Sequence, residues 1–265
     1  MFYDINGTPL TGGFLDNIDV DYEFDSASNA NYTIIRIYKN KIDGEKQFPF
    51  VYAPNGSGAG TQSTYDMAHR DGFPFAINAG TFNVTTIKPN GIVIQNSNVI
   101  QNEVDSTGHG RMPLTIDSNG DLSYAAADAD ANTLANDGIV SAVVGFCPII
   151  INYENAENII TLPDETTWTA NAQRQIIGQF GNGDYAVITC EGRSFDNSDG
   201  WTLAEAQSVC KKVGLKFAYN LDGGGSTETM LGLKHFNTIY DNTTGRIVPT
   251  FIVFNGTTRF FVPNS

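Results

Sequence analysis

The stretch Asn220-Leu221-Asp222-Gly223-Gly224-Gly225-Ser226 places an acid and three consecutive glycines directly after a short apolar run. Glycines in series neither continue a helix nor hold a strand, because each adds backbone freedom and offers no side chain to pack. Residues 216–221 have the composition of a strand, so the acid and the glycines are predicted to lie at its C-terminal end, where α/β sheets commonly bind ligands. This stretch is therefore the leading candidate for a functional site.

A Gly-Gly-Gly-Ser run is also typical of a flexible turn, and the flanking sequence helps to decide between the two interpretations. Upstream, Thr202-Leu203-Ala204-Glu205 has the pattern of a capping box, apolar residues then recur at helical spacing, and Gly214 is suited to end the helix. The sequence predicts a helix, a strand and the glycine loop in close succession, which is unlike a linker.

The composition restricts the kinds of partner that the protein can have. The chain has 265 residues, with 15 Lys and Arg against 29 Asp and Glu, and a net charge of −14 at pH 7. This deficit of positive charge argues against nucleic acid and against anionic membranes, because both attract basic patches. The length suits a main domain, residues 61–265, with a β-rich N-terminal segment, residues 1–60, packed on it.

Several common sites are not indicated by the spacing of reactive residues. Cys147, Cys190 and Cys210 are odd in number and have no Cys-x-x-Cys spacing, so they predict neither a zinc knuckle nor a disulfide framework. The three histidines have no ligand spacing, and Ser226 lacks a Gly-x-Ser-x-Gly elbow. The glycine loop matches neither the dinucleotide fingerprint nor the P-loop, which argues against the usual nucleotide sites.

Hydrophobic patterning along the rest of the chain predicts an α+β fold with a mixed, strand-rich core and a few helices. A helix is expected at Ser63–Arg70, and the repeated Ala, Asp and Asn of residues 125–136 are compatible with helix or turns. The predicted strands are Asp19–Phe24, Tyr32–Lys39, Phe48–Tyr52, Phe73–Ile77, Ile92–Gln95, Val99–Ile100, Leu114–Asp117, Ile139–Ile151, Gln175–Phe180, Tyr185–Glu191, Lys216–Leu221, Ile247–Asn255 and Thr258–Val262.

Polar residues gather at the predicted strand ends, and their chemistry suits an anionic ligand. Successive glycine amides form an anion-binding nest, and arginine offers phosphate a planar fork. A carboxylate such as Asp222 can serve as nucleophile, as base for a water, or as a cation ligand. The pattern favours phosphate-ester or glycosyl chemistry, although Arg174 would equally suit an ion pair and Glu191 a solvated turn. The residues concerned are Asn78, Asn90, Arg174, Glu191, Arg193 and Asp222.

The order of these motifs resembles that of the phosphodiester glycosidase family over roughly residues 70–256. The resemblance implies that family's fold and hydrolysis of a sugar-1-phosphodiester, with a glycan or sugar-phosphate polymer of a cell envelope as substrate. It rests on Asn78-Ala79-Gly80-Thr81-Phe82, Pro89-Asn90-Gly91-Ile92-Val93-Ile94, Arg174 to Gly178, Glu191-Gly192-Arg193, Trp201-Thr202-Leu203-Ala204-Glu205 and Asn220 to Ser226.

The resemblance also implies roles for individual residues. Asp222 or Glu191 would stabilise or attack the anomeric centre, and Asn78 would orient sugar hydroxyls. Arg174, together with Arg193, and the amides of Gly223 to Gly225 would hold the phosphate. Asp222 and Glu191 could also share a divalent cation, which is the one cofactor that the sequence leaves open. The residues expected to line the substrate site are Gly80, Asn90, Gly192, Arg193, Gly223, Gly224, Gly225 and Ser226.

Two positions depart from the family pattern. Thr81 stands where the family usually has phenylalanine, and Glu191 stands where it usually has aspartate, which lengthens the carboxylate arm by one methylene. These departures favour an alternative function, in which the protein is a non-catalytic carbohydrate receptor on the same fold.

The sequence leaves two settings open. Residues Met1–Leu10 lack a basic region followed by an apolar stretch, so no Sec signal peptide is predicted. An enzyme that acts on envelope polymers and lacks such a signal could be delivered as a component of a phage tail or baseplate. Its partners would then be other phage structural proteins or a second copy of this chain. A cytoplasmic enzyme acting on internalised sugar phosphodiesters is equally compatible with this start.

Overall fold

Most of the chain forms antiparallel strands in the computed structural model, which describes residues 2–3, 9–10, 18–40, 47–56, 62–73, 75–105, 107–156, 169–193, 197–232, 234–239 and 245–255. The helices are α1 (Thr64–Asp71), α2 (Ala131–Asn136) and α3 (Leu203–Val213). The strands are β1 (Phe2–Tyr3), β2 (Pro9–Leu10), β3 (Ile18–Asp25), β4 (Ala30–Ile37), β5 (Phe48–Tyr52), β6 (Phe75–Asn78), β7 (Phe82–Asn83), β8 (Lys88–Pro89), β9 (Val93–Gln95), β10 (Asn98–Gln101), β11 (Leu114–Asp117), β12 (Leu122–Tyr124), β13 (Ile139–Val143), β14 (Cys147–Ile151), β15 (Glu154–Asn155), β16 (Arg174–Gln179), β17 (Tyr185–Cys190), β18 (Phe217–Asn220), β19 (Thr229–Leu231), β20 (Lys234–His235) and β21 (Phe251–Asn255).

The strands form a layered core that helices cover on both sides. A seven-stranded sheet, ordered β15-β14-β18-β16-β17-β4-β3, packs one face against two five-stranded sheets, ordered β20-β19-β6-β21-β5 and β10-β9-β13-β11-β12. Helix α3 covers the opposite face of the seven-stranded sheet, while α1 and α2 cover the outer faces of the two smaller sheets. This confirms the predicted α+β, strand-rich fold. No helix in the described ranges is long and apolar enough to span a bilayer.

Local signals in the sequence account for several of these elements. The capping box at the start of α3 is present, because the Thr202 hydroxyl accepts from the Glu205 amide while the Glu205 carboxylate accepts from the Thr202 amide. The helix ends at Gly214, whose φ of 87° is left-handed. The hairpins β3–β4 and β16–β17 have the predicted pairing and confirm the alternating patterns.

The prediction of one continuous strand over Ile139–Ile151 was wrong. The run divides into β13 and β14, which belong to different sheets, with residues 144–146 between them. A Cβ placed on Gly145 would lie 2.7 Å from Tyr219 Cε1 and 3.0 Å from the Asn220 carbonyl oxygen. The backbone therefore crosses between the sheets at the one glycine that allows this approach, and the crossing lies beside the end of β18.

Other predictions have mixed outcomes. Of the ambiguous residues 125–136, the last six form α2, with the Asp130 carboxylate accepting from the Thr133 amide at its start. Strands from before residue 60 pair with strands from after it, as β4 does with β17 and β5 with β21. The division at residue 60 stays a prediction. The strand expected at Thr258–Val262 lies outside the described residues.

Candidate active site

Asp222 lies where the seven-stranded sheet meets the sheet that contains β6. Its amide donates to the Ala79 carbonyl at 2.9 Å, and the Asn78 side chain donates from Nδ2 to the Asp222 carbonyl at 2.8 Å. Asn78 Oδ1 also accepts from the Glu228 amide at 3.0 Å. The buried Asn78 side chain therefore fixes the backbone on which the acid stands.

The glycines after Asp222 are needed because other chain segments approach them closely. A Cβ on Gly223 would lie 2.8 Å from the Gln173 carbonyl oxygen, and one on Gly224 would lie 2.8 Å from Arg193 Nη2. Gly224 also has a φ of +58°, in the left-handed region that disfavours side chains. The loop is a constrained turn rather than a flexible linker, and its bare backbone admits an arginine.

The charge of Asp222 is set by opposing effects. The residue is only partly exposed, and loss of solvent raises its pKa to about 6. Hydrogen bonds from the Ser226 hydroxyl and the Gly223 amide, together with the positive charges of Arg111 and Arg246, act in the opposite direction. The carboxylate is therefore mostly ionised at pH 7 and half protonated near pH 6, which suits acid–base chemistry.

Arg111 is a site residue that the sequence analysis missed. Its Nη1 donates to the Thr81 hydroxyl at 2.9 Å, and its guanidinium carbon lies 4.7 Å from the centroid of the Phe146 ring. Thr81 in turn donates from its hydroxyl to the Val144 carbonyl at 3.2 Å. A guanidinium held by a hydrogen bond and a cation–π contact is oriented before any ligand arrives.

Two further arginines approach the glycine loop from other segments. Arg246 Nη1 lies 3.4 Å from Ser226 Oγ, and the exposed Arg193 lies against Gly224. Arg193 has a φ of 58°, which is uncommon for a residue with a side chain. The loop is thus surrounded by positive charge in a protein whose net charge is −14.

Arg174, in contrast, does not turn towards Asp222. Its Nε donates to the Trp201 carbonyl and its Nη2 to the Ala170 carbonyl, both at 2.8 Å. It shares a sheet face with Ile176, in the cluster covered by α3, and burial lowers its pKa to about 10. These contacts tie the start of β16 to Ala170 and Trp201, so we do not assign Arg174 to the phosphate.

Four further predicted residues contact neighbouring segments of the chain. The buried Glu191 accepts from the Thr238 amide at 2.8 Å, and Gly192 packs against the backbone of Ala172 and Gln173. Gly80 lies against Val143, and the Asn90 amide donates to the Thr81 carbonyl at 2.9 Å.

The cation that the sequence left open stays a prediction. Within the described ranges, no group of three or more His, Cys, Asp or Glu residues is close enough to hold a metal ion.

Comparison with known proteins places this arrangement in a family. Residues 71–255 match the family model for phosphodiester glycosidases. The chain belongs to the phosphodiester glycosidase family.

Solved structures share the fold at low identity. The catalytic domain of zebrafish N-acetylglucosamine-1-phosphodiester α-N-acetylglucosaminidase, described as auto-inhibited by its pro-peptide, has a TM-score of 0.69 at 15% identity, over 91% of this chain and 82% of that one. A protein from Synechocystis has a TM-score of 0.73 at 14% identity, over 91% and 62% of the two chains.

A phage-related sequence also matches. The SPbeta prophage-derived protein YomE of Bacillus subtilis strain 168 is 36% identical over 91 residues. The match spans 33% of this chain and 14% of that relative's length.

Proposed function

We propose that this protein hydrolyses the bond between the anomeric carbon of a sugar and a phosphodiester oxygen. The observation that carries the proposal is the position of Asp222: a partly exposed carboxylate directly before a constrained glycine loop that Arg193 and Arg246 approach. Burial also raises the pKa of this carboxylate to about 6. The zebrafish relative is named for activity on an N-acetylglucosamine-1-phosphodiester, and it shares the fold.

We assign the phosphate to Arg193 and Arg246, because guanidinium groups bind phosphate oxygens and both arginines approach the glycine loop. The expected nest of loop amides is not available in full, since the Gly224 amide donates to the Gln173 carbonyl at 2.9 Å and the Gly223 amide donates to the Asp222 carboxylate. Asn78 is assigned to positioning, because its amide group is bonded to the backbone of Asp222 and Glu228.

Asp222 acts in its ionised form. A water oxygen bonds to the anomeric carbon, and its proton passes to the carboxylate. The bond from that carbon to the bridging oxygen breaks, and its electron pair leaves with the phosphate monoester. Because this leaving group is already a stable anion, it needs less acid catalysis than an alcohol does. If Asp222 instead attacks the carbon itself, the released sugar retains its anomeric configuration, which NMR of the first product detects.

The test is incubation with defined methyl phosphodiesters at C1 of glucose, galactose and N-acetylglucosamine, measuring free reducing sugar. Release of one sugar by the wild-type chain and not by Asp222→Asn supports the proposal. Binding of these compounds without release would instead indicate a carbohydrate receptor.

We further propose a phage setting, with the protein acting on host envelope glycan as part of a tail or baseplate. The prophage-derived relative supports this setting. Mass spectrometry of purified virions from a lysogen that carries the gene tests it. Peptides of this chain in the virion would support the proposal, while their confinement to the lysate would contradict it.

A further inference from the structure

We infer that the site takes an internal unit of a phosphate-bridged glycan, with one phosphate on each side of the sugar that is released. This inference rests on the proposed function and narrows its substrate class. A sugar that ends a chain has a single phosphate to bind. A sugar inside a poly(glycosyl phosphate) has two, one at its anomeric carbon and one at another hydroxyl.

The first observation is the order of strands at the edge of the seven-stranded sheet. Asp222 follows β18, whose neighbours are β14 on one side and β16 on the other. Phe146, under the Arg111 guanidinium, immediately precedes β14, while Arg193 follows β17, beyond β16. Pairing of Cys147 with Asn220 and of Arg174 with Cys190 brings these strand ends to the same edge. Arg111 and Arg193 therefore flank Asp222 from opposite sides.

The spacing suits two anions rather than one. β14 and β17 are three strand spacings apart, or about 14 Å at roughly 4.8 Å per strand. Arginine side chains directed inward from both flanks shorten that distance, leaving the carboxylate between them. A phosphate bound by Arg193 lies on that flank of Asp222, because Arg193 Nη2 reaches the Gly224 position.

The second observation is that the Arg111 guanidinium is held in place although most of its hydrogen-bond donors have no partner among the residues that the structure describes. In the described part of the chain, its one side-chain hydrogen bond is the bond from Nη1 to Thr81, and its Nε has no partner. A guanidinium has five donors, which match phosphate oxygens in pairs. Its orientation is fixed by Thr81 and Phe146, so binding a second phosphate requires little reordering.

The experiment compares three substrates of the same sugar. The first has a methyl phosphodiester at C1 only. The second has another methyl phosphodiester at one further hydroxyl, tested at each hydroxyl in turn. The third has a neutral methyl phosphotriester at that hydroxyl, which matches the second in size without its charge. Measurement at pH 8 keeps Asp222 ionised, so that loss of a neighbouring charge does not change its protonation.

For at least one position, we expect the second substrate to exceed the first and the third in kcat/KM by about tenfold, the effect of a charge-assisted phosphate contact. Arg111→Gln should remove this advantage, so that the ratio of kcat/KM between the second and the first substrate falls to about one within the variant. Arg193→Gln should lower kcat/KM for both. Arg70→Gln, which removes an exposed arginine paired with Asp71 on α1, is the matched control and should change neither.

Two results would overturn the inference while leaving the proposed function intact. One is equal kcat/KM for the first and second substrates at every position. The other is an advantage of the second substrate that persists in Arg111→Gln. Failure to hydrolyse any of the three substrates would instead contradict the proposed function itself.

Discussion

Arg111 donates a 2.9 Å hydrogen bond from Nη1 to the hydroxyl of Thr81, at a position where the motif resemblance implies a phenylalanine. A phenylalanine ring accepts no such bond, so this departure supplies the contact that orients the arginine. Phe146 then provides an aromatic surface beneath the guanidinium, 4.7 Å from its carbon. Thr81 is thus part of the charged site.

Thr81→Val tests whether Thr81 positions Arg111. The variant keeps the shape of the side chain and removes its hydroxyl. We expect a severalfold loss of kcat/KM on the substrate with two phosphates, through KM more than kcat, because orienting a charged donor is worth about 1 kcal/mol. Steady-state kinetics with Thr85→Val, in an exposed turn, as the control would measure the loss. An equal loss on the substrate with one phosphate would contradict a role through Arg111.

The pH dependence of catalysis should follow the ionisation of Asp222. Its raised pKa of about 6 means that kcat/KM should fall about tenfold per pH unit below pH 6 and level off above it. Measuring kcat/KM between pH 4.5 and 8.5 on the substrate with one phosphate would reveal this fall in activity below pH 6. A rate that falls as the pH rises through 6 would show that the protonated form is the active one.

Asp222 should also lower the stability of the fold. Because its folded pKa of about 6 exceeds the ordinary value of 3.8, ionisation costs more in the folded state than in the unfolded one. Stability is therefore lost as the pH rises from about 4 to 6 and does not return above 6. The loss is at most about 3 kcal/mol, at 1.36 kcal/mol per pKa unit.

Asp222→Asn removes this cost, so its free energy of unfolding should exceed that of the wild type by about 1–3 kcal/mol at pH 8 and by little at pH 4. Urea denaturation at the two pH values measures the difference. A variant less stable than the wild type at pH 8 would show that the carboxylate stabilises the fold.

Asn78 should matter for stability as well as for rate. Asn78→Ala leaves the Asp222 carbonyl and the Glu228 amide without their side-chain partner in a buried region. We expect a loss of about 2–4 kcal/mol, at about 1–3 kcal/mol for each unsatisfied group. Urea denaturation with Asn83→Ala, at an exposed position, provides the comparison. If Asn78→Ala were as stable as the wild type but inactive, its side chain would instead contact the sugar.

The sequence was sufficient where structure follows from local signals. The capping box at Thr202 and the turn at 181–184 depend on neighbouring residues alone, and both formed as predicted. The need for bare backbone after Asp222 could also be predicted, because three consecutive glycines offer no side chains to pack, and other segments do approach Gly223 and Gly224 closely.

The features that the sequence did not predict depend on contacts between segments that are distant along the chain. Arg111 lies in a stretch without regular structure, and only the folded chain brings it to Thr81 and Phe146. The break at Gly145 has the same origin, since the glycine is needed by Tyr219 and Asn220. The orientation of Arg174 could have been predicted from the sequence, because residues 174 and 176 share one face of a strand and Ile176 makes that face apolar.

The role of Asp222 in hydrolysis of a sugar-1-phosphodiester is tested most directly by measuring release of reducing sugar by the wild type and by Asp222→Asn at pH 8. We expect turnover by the wild type and a loss of about 10³-fold or more in the variant, with its fold retained by circular dichroism. Turnover by Asp222→Asn within about tenfold of the wild type would contradict the claim.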